Sequence, residues 1–290
     1  MDMTNKGCQT VPLMAKRPSY EIPRPQPPAE FLQARNIAGV VLQQQFKKLG
    51  GKLKPSLDYR WIKADLTWPS FDHLTFAYGN QIFSVLVEVI DGEESQLSEQ
   101  ECQRCFVECA KNNLIPCVFQ VSLRDMKPLR EGWNLLALET SLPIAPHDLV
   151  TDERIEMSEW ELRNMAIQIV RDSVAQNGGK VLSFTDVLGI DPQVWFEDNT
   201  GTRAWVIVRH YPVLSGDEAQ EFVGIERQHP QLVPFDGYFA AVSMASSEPF
   251  LYGRDGGIIP LSRRFDGSAP LYRGDAFYIK FDRLLSLHVT

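Results

Sequence analysis

The sequence has no apolar run long enough to cross a membrane and contains little cysteine. Its longest apolar stretches, such as Ala204–Val208, have the length of a strand, whereas a membrane-spanning helix needs about 20 apolar residues. No apolar segment follows the basic residues near the N-terminus, so we expect no secretory signal. The five cysteines are an odd number and are unevenly spread, unlike the disulfide framework of a small secreted protein. We therefore expect a cytoplasmic protein without a membrane partner.

Acidic side chains are concentrated in the second half of the chain. The formal net charge is −8, and because residues 1–146 are balanced, the excess lies in residues 147–290. Nonspecific nucleic-acid binding depends on many Lys and Arg contacts to phosphate, so the second half is a poor candidate for it. The first half has a basic stretch over residues 35–63, which is either a solvated face or a phosphate-contacting patch. Candidate phosphate contacts in that stretch are Lys47, Lys48, Lys52 and Lys54.

Proline marks two segments outside the expected globular modules. Prolines recur from Pro12 to Pro28, and each removes a backbone donor and disfavours helix in the preceding residue. Residues 1–30 are therefore expected to form an extended arm, and residues 143–157 a linker. Two modules remain, over residues 31–142 and 158–290.

The two modules show the same order of elements. Apolar residues recur at helical spacing over 31–49 and again over 158–177, and two glycines follow each segment. Ser158 and Glu161 have the spacing of a helix capping box. An offset of 128 aligns Asn36 with Asn164 and Ala38 with Ala166. The sequence thus indicates a duplicated unit.

The strands that follow each helix repeat as well. Two strands joined by a turn are predicted over 74–90 and again over 194–210. A polar, helical stretch comes next, over 97–113 and 216–228, followed by apolar strands at Val118–Leu123 and Phe239–Met244. Each unit closes on another strand, over 133–139 and 276–281.

This order resembles the core of the restriction-endonuclease-like, or PD-(D/E)XK, superfamily. The resemblance implies two tandem α/β modules, each with a mixed sheet flanked by helices. In that family an Asp begins one strand, and the next strand carries a Glu or Asp two residues before a Lys. The two carboxylates hold Mg²⁺, while the lysine orients or activates the water that attacks phosphate.

The resemblance places site residues in both halves, but neither half has the full set. The first half carries Asp72 and Glu88 as candidate metal ligands, with Ile90 in the lysine position. The second half carries Asp191, with Ile207 in place of the second carboxylate and Arg209 in the lysine position. Arginine has too high a pKa to act as a base, and isoleucine cannot bind a metal. The resemblance therefore implies two decayed sites.

Two alternatives keep a metal. In the first, Asp72 and Glu88 bind Mg²⁺ together with a third carboxylate such as Asp58, Asp65 or Asp91; in the second, the two halves form a composite site. Without a metal, Asp72 and Asp191 cap turns, and Glu88 is a hydrogen-bonded or edge-strand charge.

Two other groups of residues have both structural and functional interpretations. Cys102, Cys105 and Cys109 share one helix face, which suits a core, while a metal site and a redox sensor are the alternatives. The aromatic residues of the second hairpin belong mostly to the core. An outward subset, with Trp195 and Trp205 as candidates, would form an interaction surface.

The sequence thus favours a non-enzymatic protein that binds another macromolecule and needs no cofactor. We expect another protein as the partner, and nucleic acid is possible through the first module. The alternative is a Mg²⁺-dependent nuclease that uses Asp72 and Glu88.

Overall fold

The structure is a computed structural model that describes most of the chain from residue 29 to residue 287. No helix in this part is both long and apolar enough to cross a membrane. The described residues are 29–49, 59–63, 74–91, 97–186, 189–227, 229–248, 251–253, 256–260, 263, 265–267 and 269–287.

The first module is a mixed sheet with two helices. Its sheet has the strand order β1-β2-β3-β4-β6-β7, and β5 pairs with β4 beside β6. Only β3 and β4 run parallel, and helix α2 connects them. Its elements are α1 (Ala29–Leu49), β1 (Tyr59–Lys63), β2 (Leu74–Tyr78), β3 (Gln81–Val89), α2 (Glu99–Asn112), β4 (Ile115–Ser122), β5 (Lys127–Pro128), β6 (Leu135–Ala137) and β7 (Pro143–Ile144).

The second module repeats this plan. Its sheet has the order β14-β11-β10-β9-β8, and β15 also pairs with β11; β12 and β13 form a separate ribbon. Again only one adjacent pair, β10 and β11, runs parallel. Its elements are α3 (Glu159–Gln176), β8 (Lys180–Phe184), β9 (Val194–Glu197), β10 (Arg203–His210), β11 (Asp236–Ser246), β12 (Leu251–Tyr252), β13 (Ile258–Ile259), β14 (Phe277–Lys280) and β15 (Leu285–Ser286).

The strand register shows how closely the two modules correspond. The parallel ladders begin at Phe83–Ile115 and at Ala204–Asp236, so equivalent residues are 121 apart. An irregularity interrupts β1 between Trp61 and Lys63, and a matching one interrupts β8 at Val181/Ser183. The chain therefore forms two tandem α/β modules with mixed sheets, as the sequence predicts.

Each module buries one face of its long helix against its sheet. In α1 the buried stripe includes Ala38, Leu42 and Phe46, four residues apart, as the helical repeat requires. The same stripe in α3, 128 residues later, is Ala166, Val170 and Val174. Ser158 and Glu161 form the expected capping box. The predicted helix alignment therefore coincides with the buried faces.

Three features differ from the sequence prediction or add to it. The described residues 216–227 do not form an α-helix and instead contain short 3₁₀ segments at Glu218–Phe222 and Ile225–Arg227. Strands β1 and β8 were not predicted and extend each sheet on the side of β2 and β9. The first sheet reaches into the predicted linker, since β7 pairs with β6.

A buried ion pair lies where the two modules meet. Arg273 donates to both carboxylate oxygens of Glu161 at 2.8 Å and to the backbone oxygen of Asn112 at 3.0 Å. Asn112 belongs to the first module, whereas Glu161 and Arg273 belong to the second. Nearby, Gln168 Nε2 donates to the backbone oxygen of Ile62 at 2.9 Å. The modules thus share buried polar contacts.

Candidate functional site

In the second module, the structure brings the two predicted site residues into direct contact. Asp191 lies just before β9, and Arg209 lies near the end of β10. Since β9 and β10 are antiparallel, the start of β9 and the end of β10 lie side by side, and these two positions meet there. Arg209 Nη1 donates to Asp191 Oδ1 at 2.9 Å, and Nη2 donates to Oδ2 at 2.8 Å. This is a bidentate arginine–carboxylate pair.

Two further side chains complete the surroundings of Asp191. Gln193 Nε2 donates to Asp191 Oδ1, while Gln193 Oε1 accepts from the backbone N–H of Val208 at 2.7 Å. Arg163 approaches from α3, with Nη2 at 4.0 Å from Asp191 Oδ1. The guanidinium of Arg209 also lies 4.9 Å from the ring centroid of Phe222.

Burial and neighbouring charge act in opposite directions on these groups. Burial raises the pKa of Asp191, but the hydrogen bonds and positive charge of Arg209 outweigh it, so this pKa lies below its ordinary value. Burial lowers the pKa of Arg163, and repulsion from Arg209 lowers it further. Asp191 is therefore held as a carboxylate by positive neighbours.

This arrangement does not suit a metal. Both carboxylate oxygens of Asp191 are engaged by Arg209, and Ile207 is 0% exposed in the core. In the ranges that the structure describes, no group of three His, Cys, Asp or Glu side chains could hold a metal ion. An arginine side chain is not suited to act as a general base for water. The chemistry that this cluster offers is a fixed salt bridge.

In the first module, Glu88 is buried in the sheet and hydrogen-bonded. The residue is 8% exposed, and Oε2 accepts a hydrogen bond from Gln120 Nε2, on the neighbouring strand, at 2.9 Å. Its predicted companion Asp72 lies outside the described residues. So do the further candidate ligands Asp58 and Asp65.

Asp91, the remaining candidate third ligand, caps a turn. Its carboxylate accepts from Ser122 Oγ at 2.8 Å and from the backbone N–H groups of Leu123 and Arg124 at 2.7 and 3.1 Å. Burial raises the pKa of Asp91, but these hydrogen bonds outweigh it and leave the pKa below its usual value. The carboxylate therefore holds the turn after β4.

The register corrects one alignment made from the sequence. Equivalent positions in the two parallel ladders are 121 residues apart, so Glu88 corresponds to Arg209 and Leu86 corresponds to Ile207. The hydrogen bonds just past the end of each ladder show the same offset of 121. Ile90 N donates to the backbone oxygen of Val121, and Tyr211 N donates to that of Val242. The sequence alignment of Glu88 with Ile207 was wrong by two residues. At the position of Glu88 the second module carries the opposite charge.

The helical cysteines line a small core in the first module. Cys105 and Cys109 are buried beside Leu86, and their sulfur atoms lie 3.9 Å apart. The contact with Cys109 and burial raise the pKa of Cys105. Burial, and then the charges of Glu88 and Glu101, raise the pKa of Cys102. Raised pKa values make Cys102 and Cys105 poor nucleophiles and poor metal ligands, whereas the contact with Cys105 lowers the pKa of Cys109.

The other candidate interaction residues differ in exposure. Trp205 is 1% exposed and donates from Nε1 to the backbone oxygen of Leu232 at 3.3 Å. It therefore belongs to the core and cannot form an outward surface. Trp195 is half-buried, with its ring 5.3 Å from that of Phe235 in an edge-to-face contact.

The candidate phosphate contacts are only partly within the described residues. Lys47 and Lys48 are exposed in the last turn of α1, where lysine interacts favourably with the helix dipole. Lys52 and Lys54 lie outside the described residues.

Several residues of these clusters were not found from the sequence. Gln193 and Gln120 were not predicted as site residues, because neither belongs to a recognisable sequence motif. Arg163 could have been found, since the helix offset of 128 aligns it with Arg35, and both arginines are largely buried. Arg273 stands in a segment without periodicity.

Part of the chain is similar to a family model. The model of a domain of unknown function (DUF8840) matches residues 160–287, which is most of the second module. No curated protein and no solved structure matches the chain.

Proposed function

We propose that this chain is a non-enzymatic binding protein, built from two nuclease-like modules that have lost catalysis. The observation that carries the proposal is the bidentate pair between Arg209 and Asp191. In a metal-dependent nuclease this aspartate would bind Mg²⁺; here it is neutralised by Arg209, which stands at the position equivalent to Glu88. The shared helix–strand order of the modules supports the resemblance to the PD-(D/E)XK superfamily.

The surroundings of Glu88 support the same conclusion for the first module. A catalytic carboxylate must reach both solvent and metal, whereas Glu88 is 8% exposed and bonded to Gln120. The lysine position holds Ile90.

The charge of the chain favours a protein as the partner. The second module is acidic, which opposes contact with phosphates. Nucleic acid could contact only the first module, through the basic stretch that includes Lys47 and Lys48. A pure protein scaffold needs neither cofactor nor metal.

A nuclease assay separates this proposal from its alternative, a Mg²⁺-dependent nuclease that uses Asp72 and Glu88. Purified full-length chain is incubated with single- and double-stranded DNA and RNA in Mg²⁺ or Mn²⁺. We expect no cleavage above that of a mock purification. Cleavage that disappears in Glu88→Gln but persists in the surface control Glu131→Gln would overturn the proposal.

A further inference from the structure

The two modules meet where a helix of the second lies on a bulged strand of the first. In β1, Trp61 and Lys63 pair with neighbouring residues of β2, so Ile62 is the extra residue of a β-bulge. Gln168 of α3 donates from Nε2 to the backbone oxygen of Ile62 at 2.9 Å. Met165, one turn earlier on α3, lines the same small cavity as Trp61 and Ile62. One face of α3 therefore contacts this bulge.

The second module has the same bulge in a more exposed setting. In β8, Val181 and Ser183 pair with neighbouring residues of β9, which leaves Leu182 as the extra residue. The strand registers place Leu182 at the position of Ile62, 120 residues later. Ile62 is half-buried, whereas Leu182 is 39% exposed. Within the ranges that the structure describes, no side chain donates to the backbone oxygen of Leu182.

The first module has the corresponding helix face, and this face is also exposed. The helix offset of 128 places Val40 at the position of Gln168, and Ile37 at that of Met165. Gln168 is half-buried, whereas Val40 is 57% exposed. Asn36, one turn before Val40 on this face, is exposed as well. The contact face of α3 thus has an open counterpart on α1.

Each module therefore presents one half of the contact that joins the two modules within the chain. The two halves are unlike surfaces, a helix face and a bulged strand, so the same contact can repeat from one chain to the next. Packing Val40 against Leu182 would remove apolar surface from water. Charge favours this order, because the net charge of −8 lies in residues 147–290. Pairing two second modules would bring like charges together.

We infer that this chain assembles head to tail, with α1 of one copy packed on the bulged strand β8 of the next. The occupant of each open surface is a second copy of the chain. The inference goes beyond the proposed function and does not depend on the loss of catalysis.

The contact between chains is weaker than the contact between modules. Gln33 stands at the position of Glu161, whose buried pair with Arg273 joins the modules. Val40 has no amide to donate as Gln168 does. We therefore expect reversible association with a dissociation constant of about 100 µM.

Sedimentation velocity of the full-length chain, from about 5 to 500 µM, tests this inference. The weight-average sedimentation coefficient should rise with concentration and pass that of a dimer, because a head-to-tail oligomer keeps one open surface at each end. Val40→Glu and Leu182→Glu should each weaken association at least about 10-fold, because each places a charge in the apolar contact.

Mixing the two variants distinguishes a head-to-tail contact from a symmetric one. Val40→Glu keeps an intact β8, and Leu182→Glu keeps an intact α1. Their equimolar mixture should therefore form a dimer with the affinity of the wild type, and no larger species. The matched controls are Val107→Glu on α2 and Ile258→Glu on β13, since these residues are 51% and 68% exposed. Both controls should associate as the wild type does.

Several results would overturn the inference. They are a wild-type chain that stays monomeric up to about 500 µM, association that stops at a dimer, unchanged association in either variant, and a mixture that stays monomeric. If Leu182→Glu does not fold, as judged by circular dichroism, Leu182→Asn replaces it in both experiments. The nuclease assay is independent: cleavage would overturn only the proposed function, and a monomeric chain without cleavage would overturn only this inference.

Discussion

Replacing Arg273 by Met removes the central contact between the modules. Arg273 and Glu161 are each 3% exposed in their side chains, and Arg273 also bonds the backbone oxygen of Asn112. The variant leaves a buried carboxylate without its counter-charge. Breaking a buried pair in this way costs about 3–5 kcal/mol, which is a large fraction of the stability of an ordinary domain.

A second substitution identifies the origin of this cost. Glu161→Gln removes the charge but keeps a side-chain oxygen for the capping bond from Ser158 N. If the unpaired carboxylate is responsible, Glu161→Gln combined with Arg273→Met should be less destabilised than the sum of the single variants. The expected coupling is at least about 1 kcal/mol.

Urea unfolding of the full chain provides the measurement. The midpoint and slope are recorded by fluorescence and by circular dichroism. The matched control is Arg263→Met, since Arg263 pairs with Asp266 while its side chain is 62% exposed. This control variant should lose no more than about 1 kcal/mol of unfolding free energy. A cost for Arg273→Met no larger than this control, or strict additivity with Glu161→Gln, would refute the reasoning.

The remaining predictions concern the clusters within each module. Arg209→Met should destabilise the chain by about 2 kcal/mol, at the low end for a buried pair because Arg209 is 24% exposed. Adding Asp191→Asn should recover part of this loss. The pKa of Asp191 is lowered on folding, so its stabilisation is complete above the unfolded value of about 4 and is lost as pH falls through the folded pKa. The difference between wild type and Asp191→Asn in urea midpoints should therefore shrink toward pH 3, and a constant difference would contradict this. Phe46→Ala should cost about 3–5 kcal/mol, because Phe46 is 1% exposed and its ring lies 5.2 Å from both Trp61 and Phe76; a loss below about 1 kcal/mol in the same assay would argue against this core.

Hairpins and helix ends were predicted well because their signals are local. The hairpin predicted over 74–90 begins where β2 begins, at Leu74, and β2 ends just before Gly79 and Asn80, which are typical turn residues. The capping box of Ser158 and Glu161 depends on residues three apart. The prediction of a helix over 216–228 was wrong, because it relied on the many charged residues there. A stable surface helix also needs a continuous apolar stripe, which charge alone does not provide. There the chain forms 3₁₀ segments that cover Trp205 instead.

The candidate site was found only in part. The sequence named Asp191 and Arg209, and it indicated that neither module has a full set of ligands. It did not show that Arg209 binds Asp191, because that contact depends on how β9 and β10 pair. It also misaligned Glu88, since a strand has no internal signal of its register relative to a distant repeat.

The sequence by itself therefore determined the duplicated order of elements and the helix that precedes each sheet. These follow from periodicity and from residue identity, which are properties of neighbouring positions. Only the tertiary structure decided that Trp205 is buried, that Arg273 joins the modules and that Arg209 pairs with Asp191. Such contacts depend on residues that are far apart in the chain, and burial is determined by whichever segments pack above a position.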